Sequence, residues 1–594
     1  MEMEDRVREI EELEQQIGEL PIGYISRKNI HGKTRYYRQW TENGKIKSQY
    51  IKEEDLETVE EQITRRRELQ QRLKELGKKT KESRGAGARR AGFDTAYADM
   101  EFETNVLTGE ELLAMARNIE SSKKRDCYKQ LSGYLHGEGG ERVCIVLGLR
   151  RTGKTTLIRQ AILDMEPEQV KRAAYIKTTA ADNMEIMGRD LKRLNQQGYK
   201  YVFVDEVTLM DDFIDSAAVF SDIYAAQGMR IVLTGTDTLA FALAMRQELF
   251  DRAITVRTTF IPFREYSRLL DVDSIDQYIR YGGTLRAGKH EGAHGGLGGV
   301  QTEEKETFAL FRSRESTRDY IESAVCRNIQ RALAGSKDKS QFPALRSLAE
   351  TGELIQMVNE IMENMNLNFL LLVAAGNQAF HDLRIAVWNQ RNDRSRTELA
   401  AGITKAHLTQ IKEALVALDL IVECPAETTR QGGETVEKVI FTQPGMRYCQ
   451  VQMLLEDLMN GERFAVLSQM EKKEFTERIL MEVRGRMLEE MVLMETEKAL
   501  SGRYQVFKMQ LATGEFDMVV YDTQENNCTL CEVRGSKTVV SNRFRRVPDM
   551  EKYRQIEKRF GPITERFMLC RDPNVQDSAG GKYCSIEEYL RSLS

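Results

Sequence analysis

Hydrophobic and polar positions along this chain change their period several times, and each period predicts a different element. Within residues 1–20, Ile10, Leu13, Ile17 and Leu20 recur at helical spacing, which predicts a short charged helix ended by Pro21. From Gly23 to Ile51 the pattern breaks into three extended runs, Y-I-S-R-K-N-I, T-R-Y-Y-R-Q-W and K-I-K-S-Q-Y-I. They meet at His31-Gly32 and Asn43-Gly44, and Asn-Gly suits a tight hairpin turn, so a β-meander is predicted. A charged helix, Glu53 to Leu76, follows. Lys78 to Phe93 has no apolar period and is basic and rich in glycine and alanine, which predicts a flexible linker.

Amphipathic helices over Leu107 to Leu135 lead to the apolar run Val143 to Leu147, read as a buried strand. Further strands are predicted at Ala173 to Thr178, Tyr201 to Glu206, Arg230 to Thr236 and Ile254 to Arg257, with helices at Leu157 to Ile162 and Leu239 to Leu249. Arg286 to Thr302 is glycine-rich and predicts a mobile loop. Its His290 and His294 stand at i, i+4, but the glycines argue against a helix that would hold them as metal ligands. Thr307 to Leu333 and Ala344 to Met365 read as helices. Arg396 to Cys449 has the order of a winged helix. A short helix, Thr397 to Ala401, turns at Gly402, and Thr404 caps a second helix with Leu408, Ile411, Leu415 and Leu418 on one face. Strands at Leu420 to Cys424 and Lys438 to Phe441 then flank a polar wing. If the second helix reads DNA, Lys405, His407, Thr409 and Lys412 are its candidates. Glu413 and Asp419 dilute that face, which favours packing between domains instead.

The chain has 594 residues, enough for several cores, and its 41% hydrophobic and 30% charged content fits a globular protein. A net charge of -5 gives no global attraction to nucleic acid, so any basic surface must be local. The N-terminal meander is one such place, with Lys and Arg among Tyr24, Tyr36, Tyr37, Trp40 and Tyr50. It could touch a backbone and stack bases, or it could be a half-exposed sheet on its own helix, and both readings stand. No run approaches the ~18 apolar residues of a membrane span, and the charged N-terminus lacks a signal-peptide core, so a cytoplasmic protein is expected. Of nine cysteines, only Cys528 and Cys531 form a C-x-x-C, with no second pair beside it; reduced thiols are expected.

The chemistry concentrates in V-C-I-V-L-G-L-R-R-T-G-K-T-T, residues 143–156. Gly148-Leu149-Arg150-Arg151-Thr152-Gly153-Lys154-Thr155, followed by Thr156, fits G-x-x-x-x-G-K-[ST] between a strand and a helix. Backbone N–H groups of such a loop and the helix N-terminus cradle phosphate oxygens. Lys154 is expected to reach the β- and γ-phosphates of ATP, and Thr155 to hold Mg²⁺. Asp205 and Glu206 end a strand as a Walker B pair: Asp205 as a Mg²⁺ ligand, Glu206 to polarise the attacking water. A dehydrogenase is disfavoured, because the loop is not G-x-G-x-x-G.

The run G-L-R-R-T-G-K-T-T, V-F-V-D-E, L-T-G-T, F-D-R and I-P-F-R-E-Y resembles the bacterial and archaeal AAA-type ATPases of the "archaeal ATPase" group. Tyr278-Ile279-Arg280-Tyr281-Gly282-Gly283 and F-T-Q-P-G-M-R-Y extend that likeness. The resemblance implies a multidomain α/β protein. A P-loop AAA-type parallel sheet would span residues 106–260, a helical lid 261–355, a winged helix 356–455, and an α/β PD-(D/E)xK nuclease-like domain 456–594. The basic meander module (1–80) and a linker (81–105) precede them. It implies Thr234 as a γ-phosphate sensor, with Thr236 as the alternative, and puts Arg252 at the arginine-finger position, where a structural salt bridge is the other reading.

In the nuclease-like fold, the resemblance implies a cluster of Glu489, Asp517 and Glu532, the last two binding Mg²⁺. The lysine position holds Arg534, with Lys537 after it, and Arg543, Arg545 and Arg546 nearby could grip phosphates. Arginine does not give up a proton, so Arg534 cannot act as general base. The expected function is Mg²⁺-dependent ATP binding and hydrolysis coupled to a nucleic-acid-directed effector. The alternative is an ATP-dependent switch or scaffold with a degenerate, non-cleaving C-terminal domain. Nucleic acid, further copies of the chain or a partner protein are the expected partners.

Overall fold

A computed structural model describes residues 21, 24–30, 33–42, 45–52, 55, 56, 58, 59, 62 and 65 of the N-terminal segment. Beyond it, the structure describes residues 102–119, 122–137, 141–285, 310–375, 377–400, 403–428, 436–511, 514–534, 550–571 and 582–593. The helix expected over residues 1–20, most of the Glu53–Leu76 helix, the 78–93 linker and the His290/His294 insertion lie outside these residues. So do Gly402, Lys537, Arg543, Arg545 and Arg546. The chain forms two compact units, Met1–Met100 and Glu101–Ser594.

In the first unit, β1 (Tyr24–Ile30), β2 (Lys33–Glu42) and β3 (Lys45–Ile51) form an antiparallel meander. Ile30 pairs with Lys33 and Glu42 with Lys45; the His-Gly and Asn-Gly dipeptides between them lie outside the described residues. Tyr37 and Tyr50 pair across β2 and β3, with ring centroids 5.5 Å apart.

The second unit is built on two sheets. The first contains β4 (Asn105–Thr108), β5 (Val143–Leu147), β6 (Ala173–Lys177), β7 (Tyr201–Asp205), β8 (Arg230–Gly235) and β9 (Ala253–Arg257). Their order is β4-β6-β7-β8-β5-β9; β4 is antiparallel and the other five are parallel. Both faces are covered. Val143, Ile145 and Leu147 enter one core, and Cys144 and Val146 the other. That is why the strand reads as an unbroken apolar run rather than an alternation.

The helix expected to end at Met365 continues to Ala375. Its first half (Leu354 to Met362) packs in the core beside the P-loop sheet, and its second half (Leu367 to Ala374) in the core of the C-terminal region. The first helix of the expected winged helix is not the short Thr397–Ala401 piece but the last turn of His381–Ala400. Phe380, Leu383 and Val387 are buried and anchor its start. The next helix, Lys405–Ala417, begins at Thr404 as expected, and His407 Nδ1 accepts from the Thr404 N–H at 3.1 Å. Ile411, Leu415 and Leu418 are buried, whereas Leu408, expected with them, is 40% exposed.

The second sheet gathers β10 (Ile421–Thr428), β11 (Val436–Phe441), β12 (Tyr504–Leu511), β13 (Gly514–Asp522), β14 (Asn527–Arg534), β15 (Ile563–Cys570) and β16 (Lys582–Ser585). The order is β11-β10-β12-β13-β14-β15-β16. The strands expected to flank a wing therefore join the C-terminal sheet, through parallel pairing of Ala426–Thr428 with Lys508–Gln510. The expected divisions at 355/356 and 455/456 fall inside the helices Leu354–Ala375 and Pro444–Met459. A 32-residue helix, Gln469–Leu500, covers one face of this sheet, and Met550–Phe560 packs with the other face through Ile556 and Phe560. The long helix is tied to the first sheet's side of the unit by Glu495, which accepts the Phe263 N–H at 2.9 Å. No described helix is long and apolar enough to cross a membrane.

Candidate functional site

The glycine loop leaves β5 and enters the helix Lys154–Leu163. Gly148 packs so closely that a Cβ there would lie 2.2 Å from Thr258 Oγ1, so no other residue fits. Gly153 is the left-handed N-cap, at φ 93°. Arg125 braces the loop from behind, donating to the Thr152 carbonyl at 2.7 Å and pairing with Glu265 at 2.8 Å. A cavity of about 400 Å³ opens above the loop. Arg150, Arg151, Gly153, Lys154, Thr155, Thr156, Glu206 and Thr236 line it.

Lys154 is buried, and its ammonium donates to the carbonyls of Gly148 (2.7 Å) and Leu149 (2.9 Å). Burial pushes it down to about 8, against the pull of Glu206 and Asp205. A desolvated cation satisfied only by carbonyls is poised for an anion, and the loop around it is a phosphate cradle. Thr155 Oγ1 stands 3.2 Å from Asp205 Oδ2, an oxygen pair of the kind Mg²⁺ takes, so the residues present fit Mg²⁺·ATP.

Asp205 is fully buried and carries a second set of partners that the sequence reading missed. Tyr175 Oη donates to it at 2.7 Å and Lys177 Nζ lies at 2.9 Å. The parallel register sets Lys177 directly beside Asp205. Burial acts to raise the Asp205 carboxyl, but Lys177 and the Thr234 and Tyr175 hydroxyls outweigh it and hold it below the usual range. Thr234 is fully buried and donates to Asp205, whereas Thr236 lines the cavity and donates to Glu206 Oε2 from its N–H (3.2 Å) and its hydroxyl (3.1 Å). Glu206 itself sits at φ 62°, a left-handed conformation that turns its carboxylate toward the cavity wall.

Arg252 is elsewhere. Its carbonyl accepts the Val143 N–H at 2.9 Å, at the start of β5, while the P-loop leaves the end of that strand, about 16 Å away at ~3.3 Å per residue. Its guanidinium pairs with Asp222 at 3.1 Å. Within one chain it does not reach the P-loop.

Residues 140–267 match the family model described as AAA domain. The P-loop unit is of the AAA type. That implies ATP binding and hydrolysis. Residues 2–61 match a model described as domain of unknown function (DUF6788). No curated protein matches the chain. Among solved structures, the S. cerevisiae Hsp104-ADP complex is similar at 14% identity, over 67% of this chain and 59% of that chain. Its TM-score of 0.26 makes this a loose likeness only.

Contacts run from the AAA domain to the C-terminal region. Tyr320 Oη donates to the Arg150 carbonyl at 3.3 Å and accepts from Gln443 Nε2 at 3.1 Å. Gln443 also donates to the Gly283 carbonyl, and the Gly445 N–H to the Gly282 carbonyl at 3.0 Å. A Cβ on Gly445 would lie 2.7 Å from the Tyr281 carbonyl carbon, so the Gly-Gly and Pro-Gly motifs meet backbone to backbone. One turn later Arg447 pairs with Glu490 of the long helix at 2.5 Å.

Beside Glu490, the acidic cluster differs from the expected one. The three carboxylates with oxygens within 4.8 Å of one another are Glu489, Glu515 and Asp517. Glu532 is held apart by Arg534 at 2.5 Å, and Arg534 also stands 3.7 Å from Asp517. Lys508, only 5% exposed, sits among the three. Its Nζ is 3.1 Å from Glu515 and 3.8 Å from both Glu489 and Asp517. Arg486 joins at 2.9 Å from Glu489 and 3.1 Å from Glu515. Burial and then the Asp517 charge push Glu489 up to about 7, and Asp517 Oδ2 is taken by the Val533 N–H at 2.9 Å. Lys508 and Arg486 already offset two of the three negative charges that a divalent ion would neutralise, which weakens the hold of this cluster on Mg²⁺.

Glu515 was legible by period, two residues before Asp517 on one strand face. Lys508 carried a weaker signal, as a lysine between Phe507 and Met509 in an apolar strand, and a β-bulge there sets its register. Lys508→Met should destabilise the protein by about 3–5 kcal/mol, the cost of leaving buried carboxylates without their cation. Denaturant melts check this, and an unchanged midpoint would mean that Lys508 is not the neutralising group.

Proposed function

We propose that this protein is a Mg²⁺-dependent ATPase whose nucleotide state is passed to a C-terminal nuclease-like domain that grips nucleic acid without cutting it. The observation that carries the coupling is the bonded path from the Arg150 carbonyl through Tyr320 and Gln443 to the helix bearing Arg447, and on to Glu490. The loop that must open its carbonyls to let Lys154 turn toward phosphate is the loop this path holds. Lys154 would leave the Gly148 and Leu149 carbonyls for the β- and γ-phosphates, and Thr155 and Asp205 would hold Mg²⁺, which neutralises phosphate charge when bound. Glu206, aimed by Thr236, would orient the water and take its proton.

The antiparallel β12-β13-β14 followed by parallel β15 supports the nuclease-like reading of the C-terminal sheet. Lys508 among the carboxylates, with Arg534 at the usual lysine position, favours the non-cleaving form. An arginine-finger role for Arg252 would require a second copy of the chain, since its own P-loop is out of reach.

Tyr320→Phe keeps the ring, which packs on Phe311, and deletes the hydroxyl link. Its ATP hydrolysis and its nucleotide-free DNA affinity should match wild type, while the change in DNA affinity on adding ATP should disappear. Fluorescence anisotropy with labelled duplex and single strands, at fixed salt, checks this. Wild-type DNA affinity that is the same with and without ATP, or Mg²⁺-dependent nicking by wild type, would overturn the proposal.

A further inference from the structure

A second cavity, of about 420 Å³, lies apart from the P-loop, between the helix Leu354–Ala375, the β10–β11 hairpin and β12–β13. That volume is within the range of small-molecule sites. Met365, Phe369 and Leu372 give it an apolar side, and charged groups line much of the rest. Four cations, Lys438, Arg447, Arg486 and Lys508, and two carboxylates, Glu490 and Glu515, line it.

The four cations and the four carboxylates that pair with them balance in number but not in place. At the β12–β13 end, Lys508 and Arg486 are taken up by Glu489, Glu515 and Asp517. At the hairpin end a single carboxylate, Glu490, serves both Arg447 (2.5 Å) and Lys438 (3.3 Å). Arg447 is 5% exposed and lies against the rings of Phe369 and Phe441, and its Nε has no hydrogen-bond partner among the described residues. A buried cation in excess over its counter-ion is costly unless an anion completes the site. Guanidinium and ammonium together suit phosphate, and the apolar side suits a flat organic body.

We propose that this cavity binds a nucleoside phosphate, its phosphate between Lys438 and Arg447 and its base and sugar against Met365 and Leu372. The ligand is either a free nucleotide or the phosphorylated 5′ end of a strand; the chemistry recognised is the same. Because Arg447 lies one turn from Gln443, an occupied cavity is joined to the P-loop by the Tyr320 link.

The test uses full-length Lys154→Ala, in which the P-loop is crippled, and isothermal titration with AMP, a 5′-phosphorylated trinucleotide and the same trinucleotide without phosphate. Binding of at least one phosphorylated probe, and not of the unphosphorylated one, is expected. Adding Lys438→Met should weaken it by about tenfold or more, one charge-assisted contact. Leu372→Trp should do the same by filling the mouth; Leu372 is 61% exposed, so the fold should tolerate it. Tighter binding of the trinucleotide assigns the site to strand ends, and tighter binding of AMP to free nucleotide. Lack of binding by both phosphorylated probes, or binding unmoved by both substitutions, overturns the proposal.

Discussion

Lys154→Ala should lose ATP affinity by about a hundredfold or more, since a charge-assisted contact is worth ~1.5–3 kcal/mol and this ammonium would make more than one. The residue is buried in the cradle, and among the described residues no second lysine lines the cavity, whose other cations are Arg150 and Arg151. The fold should survive the change. The ammonium is held by two carbonyls of its own loop, and burying it costs desolvation that alanine avoids. Calorimetry with Mg²⁺·ATP checks the loss, and equal affinity in the two proteins would remove Lys154 from the site.

Glu206→Gln should leave ATP bound and slow its turnover by about a hundredfold or more, the usual weight of a positioned general base. The amide oxygen of Gln can still accept from the N–H and hydroxyl of Thr236, so geometry is kept while the charge that draws the proton from water is lost. Single-turnover hydrolysis separates the two steps. A slow chemical step with unweakened binding is the expected pattern, whereas unchanged hydrolysis would assign the water to another group.

Much of the first sheet was legible because its central strands β5, β7 and β8 are buried on both faces and lead into residues with a recognisable chemical task. Val143–Leu147 and Tyr201–Asp205 announce both the strand and the function at its tip. Most of the helix His381–Ala400 was hidden by its polarity; among the residues whose side chains are described, its buried apolar anchors Leu383 and Val387 lie in the first turns. The union of β10 and β11 with the C-terminal sheet rests on three pairs between Ala426–Thr428 and Lys508–Gln510, about 80 residues apart, and no local pattern encodes such pairing. For the same reason Lys177 at Asp205, and Lys508 among Glu489, Glu515 and Asp517, became visible only once strand register was known. The acidic cluster thus shifted from Glu532 to Glu515, because Arg534 holds Glu532 and the strand period presents Glu515 beside Asp517.

Amide hydrogen exchange of Glu206→Gln, with and without Mg²⁺·ATP, tests most directly whether the nucleotide state reaches the C-terminal domain. ATP should change exchange not only at the P-loop but also along Pro444–Met459 and in β12 and β13, and adding Tyr320→Phe should abolish the distant part. A response confined to residues 148–156 and 205–209 would contradict the coupling.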